Sequence, residues 1–557
     1  MPLGRLFKVS VCSFIYTDRL LYFCGKQNAK AMRKSIFASA LLLSALCSCN
    51  KEHVSAPGFQ SGSYPDPSLT HEQIVLGEKL EDPYAIQNIT KALEKLYPTK
   101  AGREDLTPTD LYVRFLPTSD EQVETLLALG VHLTDHPLDY RIAVEGDWYH
   151  DPSIDDEDIT WQYAVVAHDF TFPEGIPYEL LDECYIAEND MVTRSDGIDW
   201  DAVEREAYIL TGNEDMICPE TKATAVAPSG RITMVDPDFA GGKPVGVSGV
   251  RVSCNSFVKF AHSYTDRDGY YQMKTKFSAK PRYRLVFKNT MNFSIGFNLI
   301  LVPASVSTLG KGEPSGMSVT ITGTSEDKVF RRCAVNNAAY DFFSRCEEDD
   351  LNIKTPPKNT RIWIFKSLGQ SCAAMLHHGA VVENGLVNTY LKGYGSLIKC
   401  FLPDIIIGTK EKESFADIYG TTIHELAHAS HYSKVGNSYW EKYIWYILTS
   451  AISSGTDNYG SGTDKNAGYC EVGEMWAYFL ESKMFKDRYG GSMPDFGTSW
   501  WFYPQIFRYL YERGFSCSEI YAALTSEAVS KDSLKASLLT LYPDRQALIE
   551  QVFERYR

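Results

Sequence analysis

The chain has 557 residues, with 71 acidic against 55 basic side chains and a formal charge of −16. That balance, together with the lack of any basic patch, excludes the electrostatic footprint of a nucleic-acid-binding protein. Hydrophobic residues make up 44% of the chain, enough for packed cores, and the length exceeds what one core usually fills, so several globular domains are expected.

Met32-Arg33-Lys34, the apolar run Ile36–Leu46 and then Cys47-Ser48-Cys49 follow the order of a secretory signal: basic, hydrophobic, cleavage site. The apolar run is too short for a comfortable membrane span. Leu46-Cys47-Ser48-Cys49 resembles the lipobox of bacterial lipoproteins, with Leu three residues before Cys49 and a small Ser just before it. The resemblance implies a signal peptide over 32–48, cleavage before Cys49 and acylation of its sulfur. The product would be a soluble protein held by lipid on a bacterial membrane, at the outer membrane or cell surface. Cys47 is the weaker acceptor because Leu46 precedes it. Residues 1–31 do not fit a signal that starts at its own methionine, so translation is expected to begin at Met32. Residues 1–48 hold seven basic groups and one acidic group, so their removal leaves the mature chain more acidic still. No CxxC pair or zinc-knuckle spacing occurs among its cysteines. Disulfides after export remain open, and an odd number of thiols leaves at least one free.

The Pro-, Gly- and Ser-rich stretch over 49–68 reads as a tether. Over 69–216 the pattern is mixed. Helices are expected at His71–Leu80, Pro83–Leu96 and Asp120–Leu129, and strands at Leu111–Leu116 and Tyr140–Val144, which makes a small α+β domain. A recognition module or spacer is preferred there over an inhibitory pro-domain.

From 227 to 290 short strands alternate with turns. Gly230-Arg231-Ile232, the segment Pro244–Val252 and Thr265-Asp266-Arg267-Asp268-Gly269-Tyr270-Tyr271 together resemble the carboxypeptidase regulatory-like, prealbumin-type β-sandwich. That resemblance implies an accessory module. Asp266 and Asp268 are expected to shape a turn rather than to bind calcium. A β-rich connection follows over 291–330.

The region 331–557 carries the chemistry. A helix is expected over Asn336–Glu347, strands over Arg361–Phe365 and Leu402–Gly408, and helices over Gln505–Arg513, Ser518–Leu524 and Asp544–Tyr556. Between them stands His424-Glu425-Leu426-Ala427-His428. Residues four apart on a helix lie one turn apart on nearly one face, so His424 and His428 can aim two ring nitrogens at one metal. Glu425 lies about 100° further round, too far to share the metal comfortably but close enough to act as general base on water there. Chance would give such a pattern in about one or two chains per hundred of this composition, so the context matters. Ile423, Leu426 and Ala427 are apolar, Ala429 and Ser430 are small, and Gly436 closes the run as a helix stop.

A catalytic zinc needs a third protein ligand. The metzincin extension would need Gly at 431 and His at 434, where this chain has His431 and Lys434, so that pattern fails. The helix expected from Tyr469 to Glu481 supplies Glu474. With Ala477 three residues on, it resembles the E-x-x-A ligand helix of the gluzincin peptidases. Glu471 competes, although an acid in a first turn also serves the helix dipole. His431 is a possible contact beyond the ligands, weighed against an ordinary, partly exposed histidine. Tyr459 and Tyr469 are candidates to stabilise an oxyanion. The Gly-rich stretch 453–468 is expected to form a rim or lid, or a plain connection. His377 and His378 are left out of the site because neighbours on a strand face opposite ways.

Taken together, these resemblances imply a multidomain fold: an α+β N-terminal domain, a β-sandwich in the middle, and a mainly helical α+β zincin-like C-terminal domain. They imply a secreted, lipid-anchored metallopeptidase with Zn2+ on His424, His428 and Glu474, Glu425 as base, and peptide, protein or glycoprotein substrates. The competing expectation is a surface lipoprotein that binds glycans or peptides on an inactive zincin scaffold. Zinc with a purely structural role comes third.

Overall fold

The computed structural model of the chain describes residues 73–98, 106–146, 148–155, 158–189, 197–217, 225–296, 304–324, 327–348, 350–366, 368–369, 371–379, 403–410, 412, 414–454, 459–494 and 500–556. The signal, Cys49 and the tether lie outside them. The chain is α+β, with several sheets, eleven α-helices among the described residues and a helical C-terminal region.

The first region contains β1 (Val75–Lys79), α1 (Ile86–Leu96), β2 (Asp110–Phe115), α2 (Asp120–Ala128), β3 (Tyr140–Val144), β4 (Gln162–Ala167), β5 (Tyr178–Cys184) and α3 (Trp200–Leu210). Strand β2 lies between β4 and β5, antiparallel to both. The expected helix over His71–Leu80 is instead β1, paired antiparallel with β3. The reason lies at Gly77, where a Cβ would sit 3.2 Å from the Arg141 carbonyl oxygen: the missing side chain lets two backbones close up, and pairing overrides local helix preference. Strands β4 and β5 and helix α3 are additional to the elements expected from the sequence. Helix α3 packs on α1 through Val203 and Ala207 against Ile89 and Leu93.

Next come β6 (Ser229–Val235), β7 (Pro244–Gly246), β8 (Val250–Ser256), β9 (Lys259–Tyr264), β10 (Tyr270–Gln272), β11 (Arg282–Asn289), β12 (Phe293–Ile295), β13 (Val306–Lys311) and β14 (Val319–Ile321). One sheet has the order β10-β6-β14 with β7 also on β6. Asp266 shapes the turn into β10, its Oδ1 accepting from the amides of Asp268 and Tyr270 at 2.9 Å each. Gly269 has φ 85°, and a Cβ there would lie 2.0 Å from the Ile232 carbonyl oxygen, so only glycine fits.

The remaining elements are α4 (Lys328–Cys346), β15 (Thr360–Phe365), β16 (Ile405–Gly408), α5 (Phe415–Val435), α6 (Asn437–Ser454), α7 (Ala467–Tyr489), α8 (Gln505–Glu512), α9 (Cys517–Ala523), α10 (Lys531–Leu541) and α11 (Gln546–Glu554). Helix α4 starts well before Asn336, because Phe330, Cys333 and Ala334 are already core. A second sheet, ordered β16-β15-β12-β11-β8-β9 with β13 also on β11, runs from the middle region into the last one. Strands β12, β15 and β16 are mutually parallel. One hydrophobic core extends from Ile232 to Tyr556, so the boundaries expected at 290 and 330 are spanned by a single sheet and a single core.

Alternation along β11 gives this sheet two unlike faces. Tyr283, Leu285 and Phe287 enter the shared core, whereas Arg284, Val286 and Lys288 turn toward the N-terminal region. The described cysteines Cys184, Cys254, Cys333, Cys346, Cys372, Cys470 and Cys517 are buried thiols outside any disulfide. No helix among the described residues is long and apolar enough to cross a membrane.

Candidate metal centre

Helix α5 is fixed at both ends. Ser414 and Asp417 form a capping box, with the Asp417 amide donating to Ser414 Oγ at 3.1 Å and the Ser414 amide to Asp417 Oδ2 at 3.2 Å. Gly436 stops the helix at φ 78°, a conformation that favours glycine. The run from Phe415 to Tyr432 needs no single apolar stripe, because α4, α6, α7 and β16 enclose the helix and bury almost every residue in it.

His424 and His428 stand one turn apart on α5 with their Nε2 atoms 3.2 Å from each other. Helix α7 brings in Glu474, whose Oε2 is 3.4 Å from His424 Nε2 and whose Oε1 is 3.5 Å from His428 Nε2. Zinc bonds of about 2.05 Å in a tetrahedron give ligand-to-ligand edges of about 3.3 Å; the two ring nitrogens stand about one such edge apart, and each is about that far from one oxygen of the Glu474 carboxylate, Oε2 for His424 and Oε1 for His428. The two-nitrogen, one-carboxylate donor set also suits zinc.

The three side chains are themselves held. His424 Nδ1 lies 3.1 Å from Glu481 Oε2, an arrangement that fixes the ring and raises its basicity. Tyr443 on α6 donates to Glu474 Oε1 at 2.7 Å. Helices α5 and α7 run antiparallel here, so that His424 meets Glu481 while His428 meets Glu474. Gly473 and Ala477 keep α7 slim on this side; a Cβ at Gly473 would lie 3.4 Å from the Tyr443 ring and 3.9 Å from His428.

Burial lowers the pKa of His424, but hydrogen bonds to Glu474 and Glu481 outweigh it and raise the value to about 10. Burial keeps His428 below its ordinary value. Burial also works to raise Glu474, yet the two histidines hold it well below the usual carboxylate range. These shifts favour a proton on His424 over one on His428 or Glu474. Glu425 is 1% exposed and its Oε2 has no hydrogen-bond partner among the described residues. Burial raises its pKa to about 8.

Glu471 is not brought to the cluster. Its Oε2 accepts from the Lys531 amide at 2.6 Å and so caps α10. His431 is fully buried rather than partly exposed, packed against Tyr439 and Trp440, because α6 folds back over this end of α5. Burial lowers its pKa to about 3. Tyr459 is buried against the stacked pair Trp500 and Phe502, with its Oη 3.4 Å from Tyr478 Oη, and the Tyr478 ring meets His424 edge-on at 4.7 Å. Tyr469 instead packs on Tyr439 and accepts from Lys442 Nζ at 3.0 Å. His378 is tied to Asp404 at 2.8 Å and is not one of the clustered residues.

Strand β16, within the strand expected over Leu402–Gly408, is paired on both sides. Strand β15 covers one, and Cys372 exchanges backbone hydrogen bonds with Ile406 on the other at 2.8 and 3.0 Å. Of the stretch 453–468, Ser453 and Ser454 end α6, and Ala467 and Gly468 begin α7. Glu481 and Tyr443 are additions to the site expected from the sequence. Glu481 carries a signal, since it lies two helical turns after Glu474; Tyr443 carries none, because nothing in the sequence marks α6 as a neighbour of α7. No family model, no curated protein and no solved structure matches this chain, so the function rests on the geometry of these residues.

Proposed function

We propose that the protein is a zinc-dependent metallopeptidase of gluzincin type, exported as a lipoprotein anchored through Cys49. In this reading 331–557 is the zincin-like part, 227–290 a carboxypeptidase regulatory-like accessory module, and 69–216 a spacer or recognition module. The observation that carries it is the buried convergence of His424, His428 and Glu474, one potential ligand atom from each lying within 4.8 Å of the others.

His424, His428 and Glu474 would hold the zinc, and Glu481 and Tyr443 keep those side chains aimed. Bound zinc would supply a Lewis acid that polarises the scissile carbonyl and makes water a stronger acid. Glu425 takes the proton from the attacking water and returns it to the leaving amine. Its buried, unpartnered Oε2 is the atom for that work. Hydrolysis then needs no covalent link between enzyme and substrate.

The test is Glu425→Gln assayed against a mixed peptide library read by mass spectrometry. Zinc content should stay at the wild-type level while cleavage falls by about 10²–10⁴-fold. Undiminished cleavage overturns the proposal. A second reading, zinc serving structure alone, draws on the near-complete burial of all three ligands. It predicts no cleavage by the wild-type protein and loss of folding on chelation.

A further inference from the structure

We propose that the cavity between the N-terminal region and the β8–β11 face of the second sheet binds a doubly charged tetrahedral oxyanion, phosphate or sulfate, free or as an ester. The cavity measures about 90 Å³, room for several waters or one such ion. Arg251 on β8 and Arg284 and Lys288 on β11 line it from the sheet. His132 and His136 line it from the opposite side, on the segment that follows α2.

Among the described residues no carboxylate forms an ion pair with Arg251, Arg284 or Lys288. Arg251 donates to His132 Nδ1 and Arg284 to Asn255 Oδ1, both neutral acceptors. The Nε atoms of Arg251 and Arg284 are buried without a partner, and Arg284 is only 7% exposed. Asp135 is the one carboxylate lining the cavity, and it already accepts from the Tyr149 amide at 2.7 Å and contacts His136 Nδ1 at 2.8 Å.

Two other buried cations are balanced by carboxylates. Lys259, 1% exposed, lies 2.9 Å from Glu188 and 2.8 Å from Glu204, and Arg282, next to the cavity, is paired with Glu145. An uncompensated buried charge is costly, and two guanidinium groups with free N–H donors match the oxygen pattern of phosphate or sulfate. Burial holds the Arg284 pKa down at about 9 and His132 well below its ordinary value, the direction expected where cations crowd without an anion.

Titration calorimetry and thermal unfolding of the full chain test the site, with inorganic phosphate, inorganic sulfate, glucose 6-phosphate and glucosamine 6-sulfate as probes against chloride at matched ionic strength. At least one probe should bind and raise the Tm. Arg284→Gln and Arg251→Gln should each weaken it by about tenfold or more, the loss of a charge-assisted hydrogen bond. Lys288→Gln, at an exposed position, should weaken it less and keeps the test alive if an arginine variant fails to fold. An ester that binds more tightly than its free ion identifies an ester ligand, and the reverse order identifies the free ion. No binding by the wild-type protein, or binding unchanged in all three variants, overturns the proposal.

Discussion

The metal cluster and the arginine cavity are both buried and both charged, and they are opposite in what they lack. His424, His428 and Glu474 gather lone pairs around one point, an arrangement that a cation would complete. Arg251 and Arg284 gather buried N–H donors, an arrangement that an anion would complete. The metal cluster is built on two rigid, antiparallel helices with supporting residues behind each ligand. The cavity lies where two regions meet, with sheet residues on one side and a connecting segment on the other. A buried gathering of like hydrogen-bonding groups is thus the sign the two places share, and the support behind it sets how tightly the position of an ion would be defined.

This contrast is most exposed to Glu474→Ala, which should abolish stoichiometric zinc binding while leaving oxyanion binding intact, as measured by metal analysis and calorimetry. Loss of both would show one folding unit rather than two separate sites. Glu481→Gln should weaken zinc by about 10–100-fold, because it removes the charge that orients His424 and not a ligand.

The proton on His424 makes a pH test. Zinc must displace that proton, so the apparent affinity should rise about tenfold per pH unit below the His424 pKa of about 10 and level off above it. A flat profile near neutrality would show that His424 is already neutral. Oxyanion binding should not follow that slope. The smallest effect is expected for Glu471→Ala, which should leave zinc binding unchanged and cost about 1 kcal/mol of stability through the lost cap on α10. Loss of zinc in that variant would transfer the ligand role from Glu474.

Much of the metal cluster is legible in the sequence because helical spacing is local. His424, Glu425 and His428 follow from a five-residue string, and Glu474 from a small-residue helix further on. The place of Glu471 is set by a neighbour out of local reach, Lys531, sixty residues away. The burial of His431 is hidden for the same reason, since it comes from α6. Strand β1 reads as a helix in isolation because its partner β3 lies beyond local reach. The arginine cavity is invisible as sequence: Arg251 and Arg284 meet only through the pairing of β8 with β11, which sets Arg251 opposite Val286 and Arg284 opposite Ser253.

The sheet shared by the middle and last regions has a practical consequence for dissecting the protein. Expressing the chain as two pieces divided near residue 330 would leave β15 and β16 without the strands beyond them in one piece, and would bare Leu285 and Phe287 to water in the other. Each piece made alone should be recovered as insoluble material, whereas the same two pieces produced by a single nick in the folded chain should elute together from a sizing column.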